Sequence, residues 1–276
     1  MNSESNEGAL PLCFVGGYYS IRGRDLWVED RGGRSVREGT PPVLLLHGGL
    51  DHSATLLTAF DETLRQRYRL AAFDRSGCGR SPTTADCFSI SDKATQVIAF
   101  IEEYLREPAH VIGYSDGANA ALAAAMQRPN LMHTLILIGA NFHHTGLMPG
   151  ALPPRESIAA SYATSESARL CPEGTEQASQ NAGATWDMWT TQPTFTAEDL
   201  RSVVVPTFVA VGDDEPISLH HTTTLYESLP VAQLAVVPHA SHALPVEQPR
   251  LLSHLISQFL EMPQGGSTQM PIRRQQ

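Results

Sequence analysis

The chain has 276 residues, 42% of them apolar and 17% charged, and carries a net charge of −10 from 19 basic and 29 acidic side chains. That composition can fill a large core at a length one α/β unit reaches, and it excludes coiled-coil, collagen-like and disordered chains. With no basic stripe it also argues against a nucleic-acid partner.

Segment 1–8 is polar, with neither the basic start nor the apolar run of a signal peptide. Segment 1–11 reads as flexible. No stretch approaches the roughly 20 apolar residues that cross a bilayer, so no membrane partner is expected. Cys13, Cys78, Cys87 and Cys171 form no C-x-x-C pair and read as free thiols, which points to a reducing, cytoplasmic location.

Two β-like runs, 12–21 and 26–30, suit an antiparallel hairpin at a sheet edge, with Gly32-Gly33 ending the second. Val43–Leu46 is continuously apolar, as a buried parallel strand requires, and ends in His47-Gly48-Gly49. A helical pattern covers 54–66, a second buried strand covers Leu70–Phe73, and Asp74 to Ser81 follows as a glycine-bearing turn. Ser91 and Asp92 open a helix to about residue 106 whose face carries Ala94, Val97, Ile98, Ile101 and Leu105.

Next comes Val111-Ile112, then Gly113-Tyr114-Ser115-Asp116-Gly117, then an alanine-rich helical stretch. This is strand, tight turn and helix, with Ser115 at the apex. Such an apex is strained, and only small residues fit two positions before and after it. It holds the hydroxyl at the positive end of a helix. After a strand at 134–138, residues 141–200 break the rhythm. They are rich in Pro, Ser, Thr and Gly, hold Trp186 and Trp189, and carry weak helices near 155–170 and 175–190. They read as an insertion over the sheet. The alternation resumes with a strand at 207–211, a helix at 218–228, a strand at 234–237 and a helix at 246–260. The expected architecture is α/β, one domain over 12–262 with a mostly parallel sheet covered on both faces, and a disordered polar tail at 263–276.

Four motifs occur in order: L-L-L-H-G-G at 44–49, D-R-S-G-C-G-R-S at 74–81, G-Y-S-D-G at 113–117 and S-H-A-L-P-V-E-Q-P at 241–249. Together they resemble the α/β-hydrolase fold superfamily, over almost the whole chain from about residue 15 to 261. The resemblance implies that fold, with a small helical cap formed by the insertion, and the chain order nucleophile, acid, histidine. Ser115 is then the nucleophile, and because a serine hydroxyl is weak at neutral pH it needs a base within reach. Of eleven histidines, His242 stands where the family places that base, between the last strand and the last helix, with His239 as fallback.

Where the family commonly has G-x-x-D, this chain has Gly212-Asp213-Asp214-Glu215. Glu215 takes the acid's place, and its extra methylene demands a different backbone placement. Asp214 takes the role if the turn is shifted by one. The resemblance further implies an oxyanion hole from the N–H groups of Gly49 and Asp116, with His47 and the turn at 74–81 holding the loop. The carboxylate of Asp116 reads either as a helix N-terminal charge matched to the dipole, or as a lure for a cationic substrate group, as in amino-acid ester hydrolases that share G-x-S-D-G.

The pairs His143-His144 and His220-His221 have side chains that point apart and no carboxylate at ligand spacing, so no metal is expected. Gly77-x-Gly79 lacks the third glycine of a dinucleotide fingerprint, and no cofactor is implied.

The expected function is a carboxylesterase-like serine hydrolase acting on an ester or related acyl bond of a small molecule. An acyltransferase and a carbon–carbon bond hydrolase use the same triad, and a receptor or scaffold would keep only the pocket. A serine apex disfavours epoxide hydrolases and haloalkane dehalogenases, which need aspartate. Phe142, Trp186 and Trp189 read as an acyl pocket, or as residues that bury the insertion against the body.

Overall fold

The computed structural model describes residues 14–33, 36–266 and 268–270, and among these, eight strands, numbered β1 to β8 along the chain, build one sheet in the order β1-β2-β4-β3-β5-β6-β7-β8. The hairpin of β1 (Phe14–Ile21) and β2 (Arg24–Arg31) is antiparallel, and β2 runs antiparallel to β4 (Leu70–Phe73). From there β4, β3 (Val43–Leu46), β5 (Ala109–Tyr114), β6 (Met132–Ile138), β7 (Thr207–Asp214) and β8 (Ala232–Ser241) are parallel.

Strands β3 and β4 are buried at every position, as continuous apolar runs in a sheet covered on both faces should be. Alternate residues then serve opposite layers. Leu44, Leu46, Val111, Leu135 and Leu137 share a core with α2 (Ile90–Ala99), α3 (Asp116–Gln127) and Leu225 of the helix at Leu219–Ser228. Val43, Leu45, Ile112, Ile136 and Ile138 pack with α1 (Ala54–Phe60) and with the helix at Pro249–Glu261. The expected hairpin, strands and two helical layers are therefore present.

Two helices on the N-terminal side of β5 differ from their sequence pattern. The pattern over 54–66 divides into α1 and a 3-10 turn at Leu64–Gln66, whose Leu64 is buried. The one over 91–106 begins at Ile90 with Ser89 as its cap, the hydroxyl accepting from the Asp92 N–H. It then widens into a π-helical turn at Phe100–Leu105, closed by the Arg106 N–H to the Ile101 carbonyl at 2.8 Å. That wider turn keeps Phe100, Ile101 and Leu105 all buried.

Between β6 and β7 the chain folds as α4 (Arg155–Ala163), a 3-10 turn at Ser167–Leu170, α5 (Thr175–Trp189) and α6 (Ala197–Leu200), a small helical cap. Helix α4 has no buried residue, whereas α5 buries Ala178, Asn181, Ala182 and Met188. The inner helix is tied down by Asn181 Nδ2, which donates to the Thr83 hydroxyl at 2.8 Å and the Gly77 carbonyl at 3.2 Å.

The helix after β7 is α7 (Leu219–Ser228). The last expected helix is two, α8 (Leu244–Glu247) and α9 (Pro249–Glu261), because Pro249 forces Gln248 out of the helical region to φ −129° and ψ 47°. Cys78, Cys87 and Cys171 carry free thiols. No helix among the described residues is long and apolar enough to cross a membrane. Segment 1–11, residues 12–13 of the expected hairpin, and residues 267 and 271–276 of the expected tail lie outside the described residues.

Candidate active site

Ser115 joins β5 to α3 with φ 52° and ψ −119°, a left-handed backbone that a residue bearing a Cβ rarely adopts. Its N–H donates to the Ile138 carbonyl at 2.8 Å, which pins the apex to β6. The flanking glycines are needed for space. A Cβ on Gly113 would lie 2.5 Å from the Gly117 carbonyl oxygen, and one on Gly117 would lie 2.1 Å from the Leu46 oxygen. The turn presses the start of α3 against its own strand and against the end of β3.

His242 Nε2 lies 3.0 Å from Ser115 Oγ, and its Nδ1 lies 2.7 Å from Glu215 Oε2. A carboxylate at that distance accepts from Nδ1–H, which leaves Nε2 to accept the serine proton. The side chain of Glu215 is 1% exposed and that of His242 30%. Three features set this geometry. Between Gly212↔Val237 and Asp214↔Ser241 the register slips, so β8 bulges at Pro238–Ala240, with His239 at φ 56°. The Asp213 carboxylate accepts from the Ala240 N–H at 3.2 Å and Glu247 accepts from the Ser241 N–H at 2.6 Å, fixing both sides of the loop. Gly139, at φ 58°, backs the pair: a Cβ there would lie 2.9 Å from His242 Cε1. Glu215, and not the exposed Asp214, meets the imidazole, and His239 is exposed in the bulge.

On the other side of Ser115 lies the loop after β3. His47 is fully buried; its Nε2 accepts from the Arg75 N–H at 3.1 Å and its Nδ1 lies 2.7 Å from the Gly48 carbonyl oxygen. Burial, and then the Arg75 guanidinium, hold its pKa well below the ordinary histidine value, so the ring is a neutral clamp on the loop. Arg75 itself donates to the Gly48 carbonyl at 2.8 Å. Asp74 accepts from the N–H groups of Ser53 at 2.7 Å and Arg80 at 2.8 Å, and so ties the turn at 74–81 to the start of α1. A Cβ on Gly49 would strike the Trp189 ring at 2.6 Å and Asp116 Oδ2 at 2.7 Å.

Asp116 is buried, and both its oxygens are engaged: Oδ2 accepts from Lys93 Nζ and Oδ1 from Trp189 Nε1, each at 2.8 Å. Burial pushes its carboxyl pKa up, but the Lys93 ammonium, the Arg75 guanidinium and the Trp189 N–H together outweigh that and hold it below the ordinary value.

A cavity of about 230 Å³ opens over Ser115 and His242. Its apolar walls are Tyr114, Leu147, Leu152, Trp189 and Ile217, and its uncharged polar side chains are Asn141 and Gln192. Both of these are already engaged: Asn141 Oδ1 accepts from Asn119 Nδ2 at 2.9 Å, and Gln192 Oε1 accepts from the Ile90 N–H at 2.9 Å. Of the three aromatic residues expected here, Trp189 lines the cavity and the other two do not. Phe142 is buried against His221, ring centroids 4.0 Å apart, and Trp186 donates to the Pro153 carbonyl at 2.9 Å on the outside of the cap.

His143 and His144, expected to point apart, instead stack at 4.5 Å, because His143 is extended and His144 opens a 3-10 turn. Among the described residues no group of three or more His, Cys, Asp or Glu could hold a metal ion.

Sequence reasoning missed Lys93, Gly139 and the aliphatic wall. Lys93 did leave a signal: it stands three residues after Ile90 and four before Val97, a charge on the buried face of an amphipathic helix.

The alpha/beta hydrolase family pattern matches residues 43–255. Over 260 residues the chain is 26% identical to "Putative carbamate hydrolase RutD" of Caulobacter sp. (strain K31), covering 85% of this chain and 95% of that protein. Over 98 residues it is 36% identical to the pimeloyl-[acyl-carrier protein] methyl ester esterase of Methylococcus capsulatus (strain ATCC 33009 / NCIMB 11132 / Bath), covering 36% of each. In fold it is similar to a serine hydrolase involved in carbazole degradation (CarC enzyme), with a TM-score of 0.72 at 19% identity over 91% of this chain and 100% of that one.

Proposed function

The chain belongs to the alpha/beta hydrolase family, and from that premise we propose that it is a serine hydrolase cleaving an ester or related acyl bond of a small molecule through a covalent acyl-enzyme. The observation that carries this reading is the continuous chain of contacts from Glu215 through both nitrogens of His242 to Ser115 Oγ, at 2.7 and 3.0 Å, at the foot of a cavity.

Ser115 Oγ attacks the carbonyl carbon as His242 Nε2 takes its proton, and the Glu215 carboxylate stabilises the imidazolium that forms. The oxyanion is met by the N–H groups of Gly49 and Asp116. As the first residue of α3, Asp116 has an N–H with no partner inside the helix. Each such donor contributes about 3 kcal/mol to the transition state. The imidazolium protonates the leaving group, the acyl-enzyme forms, and a water deprotonated by His242 attacks it to release the acid. Every step uses side chains and backbone of this chain.

Within the acyl class a carbamate is the second reading, favoured by the relative named for carbamate hydrolysis that aligns over 85% of the chain. The same steps would then form a carbamoyl-enzyme. Matched p-nitrophenyl esters and carbamates separate the two. Wild type is expected to turn over at least one series, and Ser115→Ala and His242→Ala to lose on the order of 10⁴-fold or more of kcat. A folded wild type that is inert to both, or a Ser115→Ala variant that keeps its rate, contradicts the proposal.

A further inference from the structure

We propose that Lys93 determines charge specificity at this site: it is a built-in cation that occupies the carboxylate beside the nucleophile, so that the cavity accepts uncharged acyl groups and rejects those bearing an ammonium. The inference rests on the serine hydrolase reading and extends it to a substrate class.

A carboxylate one residue after the nucleophile, in the wall of the acyl cavity, is placed to receive a cation. Here that position is already filled. Lys93 Nζ from α2 and Trp189 Nε1 from α5 take one oxygen of Asp116 each, both at 2.8 Å. The side chains of Lys93 and Asp116 are 2% and 3% exposed, so water compensates neither charge and each depends on the other. The buried guanidinium of Arg75 is also drawn toward this carboxylate, but its Nη2 donates to the Gly48 carbonyl at 2.8 Å and neither its Nε nor its Nη1 hydrogen-bonds to Asp116.

Stability alone does not account for the pair, since two well-packed apolar side chains of similar volume serve a core as well or better. Its position accounts for it. Asp116 would present its N–H to the oxyanion while its own carboxylate sits within the same residue, and an unneutralised charge there would oppose the negative charge that develops on the carbonyl oxygen. Lys93 cancels that charge. Through Asp116 it also seats Trp189 against Gly49, whose α-carbon has no room for a side chain beside that ring. Lys93 therefore touches no substrate and acts as a positioning residue, setting the field of the cavity and the place of one wall.

The test uses two isosteric substrates, p-nitrophenyl propionate and p-nitrophenyl glycinate, in which an ammonium replaces the terminal methyl. Rates are divided by those of uncatalysed hydrolysis and normalised to sites titrated with a fluorophosphonate. Wild type is expected to prefer propionate by about 100-fold or more in kcat/KM. Lys93→Met, which leaves Asp116 uncompensated, is expected to lose about 10- to 100-fold on propionate while its glycinate-to-propionate ratio rises about 10-fold or more. Lys93→Met/Asp116→Asn removes both charges and is expected to return the ratio to the wild-type value.

A wild type that takes both substrates equally overturns the proposal, and this comparison needs no variant to fold. So does a folded, titratable Lys93→Met with an unchanged ratio, which would make the lysine structural only. Absence of fluorophosphonate labelling in wild type is a different result, because it removes the hydrolase reading itself and this inference with it.

Discussion

Glu215 and His242 share one hydrogen bond but stand in different surroundings, the carboxylate sealed off and the imidazole open to the cavity. A sealed carboxylate can orient the ring and stabilise its cation without competition from water, and that requires the charge as well as the shape. Glu215→Gln keeps the shape and is expected to lose on the order of 10³- to 10⁴-fold in kcat on a p-nitrophenyl ester, while Asp214→Asn stays within about threefold of wild type. Equal losses in the two variants would mean that the acid is not resolved by this geometry. The sequence left these two carboxylates as alternatives for a physical reason. Which of them meets the ring depends on a bulge in β8, where Pro238–Ala240 loop out opposite Asp213, and a bulge is a property of two paired strands. Ser115 was legible because the elbow needs small residues on both sides at fixed spacing. Gly139 was not, because nothing local in the chain marks a glycine that serves a ring more than a hundred residues away.

At the scale of elements, what was legible followed from periodicity and what was not followed from backbone detail. The runs at Val43–Leu46 and Leu70–Phe73 announce buried parallel strands because both faces of such a sheet are apolar. The alternation of strands with helices then fixes the two helical layers. The break at Gln248 comes from Pro249, a mark that stands in the sequence itself. The π-helical turn at Phe100–Leu105 had no such mark, since it arises from keeping three large residues inward at once. In the cap, Trp186 and Trp189 lie three residues apart on α5 and would share a pocket if proximity decided it. Their indole N–H groups separate them, one reaching Pro153 in the cap and the other Asp116 in the body. The cap is therefore joined to the side of the sheet that carries Ser115 by polar contacts of Asn181, Trp189 and Gln192, and their partners could be known only once the sheet was formed.

For the molecule as a whole, three histidines are held neutral by the fold. Burial and then Arg75 lower His47 well below its ordinary value of 6.5, burial and then His133 lower His110 to about 4, and burial and then His143 lower His221 to about 4. Below 6.5 the unfolded chain takes up protons that the folded chain refuses, so their contribution is complete above 6.5 and is lost as pH falls toward 4. The slope is at most about 1.4 kcal/mol per pH unit for each histidine, and less for His110 and His221, which both keep some solvent contact. Asp51, whose carboxyl burial raises, works in the opposite direction, and Asp116, held low, adds to the loss only below 3.8. Calorimetry is expected to show Tm falling steadily from pH 7 to pH 5, with a shallower fall in His110→Gln. A Tm that is flat or rises over that range would contradict the burial of these rings in their neutral form.

The central claim, that the elbow serine is an activated nucleophile, is tested most directly by intact mass after incubation with a fluorophosphonate. Wild type is expected to gain one adduct per chain, and Ser115→Ala, folded to the same Tm, to gain none. An unmodified wild type, or an adduct that survives Ser115→Ala, would contradict the account.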